Sequence, residues 1–184
     1  MIEDKHRWNE KYETAPMPSE PIKALVSHIG LITEGSKALD IACGKGRHTH
    51  FMADKKIYVD AVDYSDVALD ALKNSSYINP IDTDLDHYII DANSYDIIVC
   101  TNFLSRRLFP FIKDGLKKSG IVVFETFMEC GHPDAHQTTN IEYLLRKNEL
   151  LHTFLALNVL FYEERQEINL RGEVVKVATL VAQK

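Results

Sequence analysis

Residues Ala38 to His48 constrain this chain more tightly than any other stretch. They read Ala-Leu-Asp-Ile-Ala-Cys-Gly-Lys-Gly-Arg-His: apolar residues leading into Asp40, then small residues with two glycines, then residues able to open a helix. That order describes a strand, a tight turn and a helix start. Glycine is needed where backbone turns sharply or lies against a ligand. Glycine-rich turns at helix N-termini serve nucleotide-like ligands in open α/β sheets.

Two features narrow the ligand. The dinucleotide pattern wants a third glycine three residues after the second, and Thr49 stands there. Charge separates the choices further. Asp40 ends the first strand, and Asp63 ends the next apolar strand, Tyr58 to Val62. A carboxylate after the second strand suits ribose hydroxyls in either case. One after the first would repel a diphosphate but suits a cofactor carrying an ammonium and a sulfonium. The acidic turn therefore favours S-adenosylmethionine (SAM) over a nicotinamide or flavin dinucleotide.

Length and charge bound the rest. A chain of 184 residues is expected to be one domain, 1–184, with an N-terminal helical lid region over 1–30 and a core over 36–184. A formal net charge of −6 argues against a nucleic-acid partner, which requires a basic surface. Cys43, Cys100 and Cys130 form no C-x-x-C pair and are expected as reduced thiols in a cytoplasm. The first residues lack the apolar core of a signal peptide, and no run is long enough to span a bilayer, so no membrane partner is expected.

Taken in order, the chain alternates helices and strands. Asp4 to Thr14 reads as a helix with Trp8 and Tyr12 on one face, and Pro21 opens a second to about Ile29 with Ser19 as cap. Strand Lys37 to Ile41 is followed by a helix from Gly46 to Asp54, and Ser65 caps a helix reaching Leu72 and ending near Asn74. Pro80 places strand Tyr77 to Asp82 at a sheet edge. Tyr95 to Thr101 is apolar enough for a central parallel strand. A helix over Arg106 to Lys118 and a turn at Ser119-Gly120 lead to a buried strand, Ile121 to Thr126. After a loop with Gly131 and Pro133, Asn148-Glu149 opens a helix to Phe154. Leu157 to Glu164 and Glu173 to Ala182 then form a closing hairpin.

These residues resemble the class I SAM-dependent methyltransferases, and among them the small bacterial tellurite-resistance-type enzymes. The likeness rests on Arg7-Trp8-Asn9-Glu10-Lys11-Tyr12, Leu39 to Arg47, Val62-Asp63-Tyr64-Ser65, Asp84-Leu85, Tyr95-Asp96, Asn102-Phe103-Leu104, Phe124 to Phe127 and Asn148-Glu149-Leu150. It implies a Rossmann-like, doubly wound α/β fold: a seven-stranded sheet of order 3-2-1-4-5-7-6, strand 7 antiparallel, with helices on both faces. The first glycine of the usual turn is Ala42 here.

The resemblance also implies roles. Ala42, Cys43, Gly44, Gly46 and Arg47 would line the methionine part of SAM, with Asp40 near its ammonium. Asp63 would take both ribose hydroxyls, Tyr64 would pack by the adenine, Asp84 would meet the adenine amino group, and Leu85 would lie against the ring. Thr101, Asn102 and Phe103 would border the sulfonium, with Trp8 and Tyr12 as a lid. Asn102, Phe103, Arg106 and Phe127 are the candidate acceptor pocket, and no catalytic residue is assigned.

Simpler structural readings stand beside several of these. Asp84 lies in a polar loop, and Trp8 and Tyr12 could simply pack an amphipathic helix. Arg106 and Arg107, helped by Arg47, His48 and His50, could draw in an anion or merely begin a solvated helix. Cys130, His132 and His136 have loosely metal-like spacing but no second ligand pair, so no metal is expected. The expected activity is methyl transfer from SAM, leaving S-adenosylhomocysteine. The acceptor would be a small molecule such as a thiol or a tellurium or selenium oxyanion, and the enzyme a monomer or homodimer. The alternatives are a SAM-binding domain without turnover and, more remotely, an NAD(P)-binding oxidoreductase.

Overall fold

A computed structural model describes residues 2–73, 75–131 and 140–184. Asn74, Pro133, His132 and His136 lie outside the described residues, and with them the metal-like spacing. The elements in order are α1 (Ile2–Thr14), α2 (Lys23–His28), β1 (Lys37–Ile41), α3 (Arg47–Ala53), β2 (Tyr58–Asp63), α4 (Asp66–Asp70), β3 (Ile78–Asp82) and β4 (Tyr95–Thr101). They continue with α5 (Leu108–Gly115), β5 (Leu116–Phe127), α6 (Glu149–Phe154), β6 (Asn158–Ile168) and β7 (Val174–Gln183). One sheet of order β3-β2-β1-β4-β5-β7-β6 collects every strand. β7 runs antiparallel to both β5 and β6, and the remaining pairs are parallel. The expected topology is the observed one.

Side-chain alternation explains why helices cover both faces. On one face, Leu39, Ile41, Ile98, Cys100, Val122, Phe124 and Leu180 pack against Leu108 and Ile112 of α5 and Leu150 and Phe154 of α6. On the other, Ala38, Val59, Ala61, Ile97, Val99, Val123 and Val181 pack against Leu25 of α2, Met52 of α3 and Leu69 of α4. Burial of both faces is why the central strands read as unbroken apolar runs. β3 is an edge strand with Pro80 opposite Ala61, so the missing N–H costs no central hydrogen bond. No helix among the described residues is long and apolar enough to cross a membrane.

Several expected boundaries move. α2 begins at Lys23 instead of Pro21, and Ser19 is not its cap. Ile22, in extended conformation, precedes it, and the Ile22 N–H faces His48 Nε2 at 3.4 Å. α4 is capped by Ser65 as expected, with its Oγ accepting from the Ala68 N–H, but it stops at Asp70, before Leu72. α5 ends at Gly115, three residues short of the expected Lys118, and this glycine packs so closely on Ile90 that a Cβ would lie 2.5 Å from Ile90 Cγ2. The next strand begins at once: Leu116 pairs with Tyr95, and Ser119, at φ +68°, forms an irregularity inside β5 instead of a turn before it. The short 3-10 turns Ile29–Leu31 and Ile141–Tyr143 carry no sequence signal strong enough to foresee.

The β1–α3 turn supplies a stability contrast. Ala42 sits at φ +54°, where an L side chain is strained, whereas Gly46 at φ +80° has no room for a side chain: a Cβ would lie 2.2 Å from Leu72 Cδ2. Ala42→Gly should be neutral or stabilise by up to about 1 kcal/mol, and Gly46→Ala should destabilise by about 2 kcal/mol or more. Urea unfolding of the two variants measures both.

Candidate active site

The strand order reverses between β1 and β4, and a crevice at the carboxyl ends of such strands is where open α/β sheets hold ligands. The turn Ala42 to Gly46 lies there. Its geometry is fixed from β2: the Gly44 N–H donates to Asp63 Oδ2 at 2.8 Å, and the Ser65 N–H to Asp63 Oδ1 at 2.9 Å. The Tyr64 N–H and the Tyr12 hydroxyl also hydrogen-bond this carboxylate, so the Tyr12 hydroxyl stands where a ligand hydroxyl would otherwise meet it. Asp63 is 6% exposed, and burial raises its pKa against the pull of those backbone donors.

Asp40 is placed differently from the sequence expectation of a residue beside the open turn. It is 1% exposed and lies under the turn against α3, where Thr49 Oγ1 donates to its Oδ2 at 2.6 Å. The position that lacks the dinucleotide glycine therefore anchors the buried acid. Burial pushes the Asp40 carboxyl up to about 7, opposed by the Thr49 hydroxyl and the charge of Arg47. Cys43 is buried, with its N–H on the Val62 carbonyl at 3.0 Å and its thiol pushed up by burial and by both acids.

Above the turn, Tyr12 of α1 rests on Gly44: a Cβ added to Gly44 would lie 2.9 Å from the Tyr12 hydroxyl. Burial, then Asp63, Cys43 and Asp40, hold that phenol protonated. Trp8 stacks obliquely beside it, with centroids 5.7 Å apart. The two residues expected to form a lid therefore meet over the turn. α1 is tied down through Lys5 to Asp82 at 2.7 Å and Asn9 to Asp66 at 2.7 Å, and Lys5 lies 5.5 Å over the Tyr64 ring.

The remaining expected residues divide. Thr101 is buried at the end of β4, with Oγ1 3.5 Å from His48 Nδ1. Asn102 is exposed at φ +55°, its N–H on the Glu125 carbonyl, and Phe103 is half-buried. Phe127, half-buried, ends β5. Asp84 takes the Asp86 N–H at 2.9 Å within its own turn, and Leu85 is buried in the core beside it.

The basic residues weighed as an anion attractor divide as well. His48 is 1% exposed, and burial, with Arg47 beside it, depresses its pKa to about 3, so it is neutral. Arg106 makes a bidentate pair with Glu149, at 2.6 and 2.9 Å, and also donates to the Glu142 and Leu144 carbonyls. Arg107 donates to the Leu85 and Tyr88 carbonyls, each at 2.7 Å. Both side chains tie loops together. Arg47 is half-buried, its one hydrogen bond among the described residues is to the Glu20 carbonyl at 3.4 Å, and it feels Glu125, Asp40 and Glu167.

Comparison with known proteins follows this geometry. Residues 38–120, from β1 into β5, match a family model described as "Methyltransferase domain". The match spans 83 of the chain's 184 residues. The residues present fit S-adenosylmethionine: glycine backbone at the turn, a buried acid after β2 and a guanidinium with open donors. Solved structures share the fold of this chain. TehB from Haemophilus influenzae superposes with a TM-score of 0.77 at 22% identity, covering 98% of this chain and 66% of its own. A SAM-dependent methyltransferase from Methanosarcina mazei gives 0.69 at 15%, covering 90% and 98%. One from Mesorhizobium loti gives 0.66 at 14%, covering 83% and 92%. No curated protein matches the sequence.

Asp63 and the glycines were legible in the sequence. The pairings of Arg106, Arg107 and His48 were not, because each partner lies 19 to 53 positions away in the chain.

Two outcomes follow. Asp40 holds a proton in the folded state that the unfolded chain has lost between pH 3.8 and about 7, so its stabilising contribution is full below that window and gone above it. Chemical unfolding from pH 5 to 8 should show wild type losing stability relative to Asp40→Asn, by about 3 kcal/mol at most. Arg106→Ala should lower stability by roughly 1–2 kcal/mol while SAM affinity, read by calorimetry, stays within about twofold.

Proposed function

We propose that this protein is a SAM-dependent methyltransferase acting on a small-molecule acceptor. The observation that carries the reading is Asp63, fixed at the end of β2 by the Gly44 and Ser65 N–H groups with the Tyr12 hydroxyl resting on it. Displacement of that hydroxyl would open the carboxylate to the two ribose hydroxyls. Gly44 and Gly46 keep the turn open to close backbone approach, Arg47 supplies donors for the methionine carboxylate, and Thr101, Asn102 and Phe103 border the reacting sulfur. Trp8 and Tyr12 cover the turn and exclude water from it.

Bound there, SAM supplies an electrophilic methyl group on a good leaving sulfonium, so alignment and exclusion of water are the protein's main tasks. Arg106, its charge paired with Glu149, lends none to an anionic acceptor, while Arg107, held by two backbone carbonyls, keeps its charge. A tellurium or selenium oxyanion thereby loses one of its two candidate partners, despite the structural likeness to TehB.

Calorimetric titration with SAM and with S-adenosylhomocysteine tests the reading. Micromolar binding is expected. Asp63→Ala should weaken it roughly 100-fold, the loss of two charge-assisted hydrogen bonds of about 1.5 kcal/mol each. Arg47→Met should weaken it about tenfold. An unaltered affinity in folded Asp63→Ala would remove the ribose assignment.

A further inference from the structure

Glu125 is a buried acid that the cofactor site does not use. It stands at the carboxyl end of β5 and is 8% exposed. In register it pairs with Thr101 on β4 and Thr179 on β7. Its side chain shares the face of Val123, two residues before it, which is the face covered by α2 and α3 and the one on which Asp40 meets Thr49. It therefore sits two strands from β1, about 10 Å across the sheet, beside the residues that border the sulfonium.

The orientation of this carboxylate is fixed on one side only. Thr179 Oγ1 donates to Oε2 at 2.5 Å and Arg165 Nη2 to the same atom at 3.0 Å, while Arg165 Nη1 also donates to Thr179 Oγ1 at 2.6 Å. No described residue donates to Oε1. Arg165 is shared with Glu163 at 3.4 Å and Glu167 at 2.9 Å, so its charge does not cancel that of Glu125 alone. Three carboxylates and Arg165, with Arg47 nearby, leave the pocket a net negative charge.

We infer that Glu125 is the acceptor-binding residue and that the acceptor is a small neutral amine. The inference rests on the methyltransferase reading and adds the class of substrate to it. Glu125 Oε1 accepts a hydrogen bond from the amine N–H, which aims the nitrogen lone pair. The nitrogen bonds to the methyl carbon, the carbon–sulfur bond breaks, and its electron pair stays on sulfur. Positive charge thereby moves from sulfur to nitrogen, towards a fixed carboxylate that stabilises it as it develops. The methylated ammonium gives up its extra proton to water after release. A thiolate or an oxyanion would bring negative charge against the same carboxylates and is disfavoured.

The test uses the intact protein and SAM labelled in the methyl group. Ethanolamine, histamine and tyramine, assayed at about pH 9.5 so that a share of each carries a free lone pair, are the amine probes, with 2-mercaptoethanol and selenite as the contrasting acceptors. Label is expected in at least one amine, and Glu125→Gln should cut kcat/KM for it about 100-fold while SAM affinity stays within about twofold. Calorimetric binding of the same amine to the protein saturated with S-adenosylhomocysteine should be lost in that variant. Thr179→Val keeps the carboxylate but frees its orientation, and should cost about tenfold in kcat/KM with a normal melting temperature. Label confined to 2-mercaptoethanol or selenite, no label in any amine, or unchanged amine turnover in Glu125→Gln would overturn the inference with SAM binding intact. Failure of wild type to bind SAM would overturn both readings.

Discussion

Everything at the carboxyl edge of the sheet depends on one contact, the Gly44 N–H on the Asp63 carboxylate. It joins the turn after β1 to the end of β2, and the turn could not hold its left-handed residues without such an anchor. Ala42 and Gly44 lie near φ +55° and Gly46 at +80°, so three of five successive residues adopt a conformation uncommon for L side chains. The Ser65 N–H binds the other Asp63 oxygen while its Oγ caps α4, so one short segment fixes both the acid and the next helix. Backbone geometry, acid placement and helix start form a single unit here.

Legibility in the sequence followed the range of the forces involved. β4 was read to the residue because burial on both faces leaves a nearly continuous apolar run, and β1 because a turn at Glu34-Gly35-Ser36 precedes it and the glycine turn follows it. Ser65 as a cap and Pro80 at an edge were likewise visible, since each acts on its own immediate backbone. Ser19 looked like a cap by the same local rule, yet the first turn of α2 is instead met by His48, 26 positions away. Gly115 at the end of α5 packs on Ile90, and Arg106 pairs with Glu149, both partners distant in the chain. Side chains that can pair with many partners do not announce which one folding will bring to them.

The candidate site shows the same division. The acids and glycines about the β1–α3 turn were readable because local turn geometry demands them together. Asp40 was foreseen as an acid but placed too near the open turn, since its partner Thr49 is reached only when α3 folds back on β1. Glu125 went unremarked, although Phe124 to Phe127 was among the stretches resembling the methyltransferases. Its surroundings, Thr179 and Arg165, arrive from a hairpin 40 to 54 positions later.

That hairpin leaves β6 as an open edge of eleven residues, at the opposite end of the sheet from β3. The two edges are closed to strand addition by different means. β3 carries Pro80, which has no N–H to offer. β6 carries Glu163, Glu164 and Glu167 around Arg165, so a second copy laid antiparallel along it would set carboxylate against carboxylate. The sheet therefore ends at seven strands instead of templating its own growth, and the charges that organise the pocket also guard the protein against aggregation.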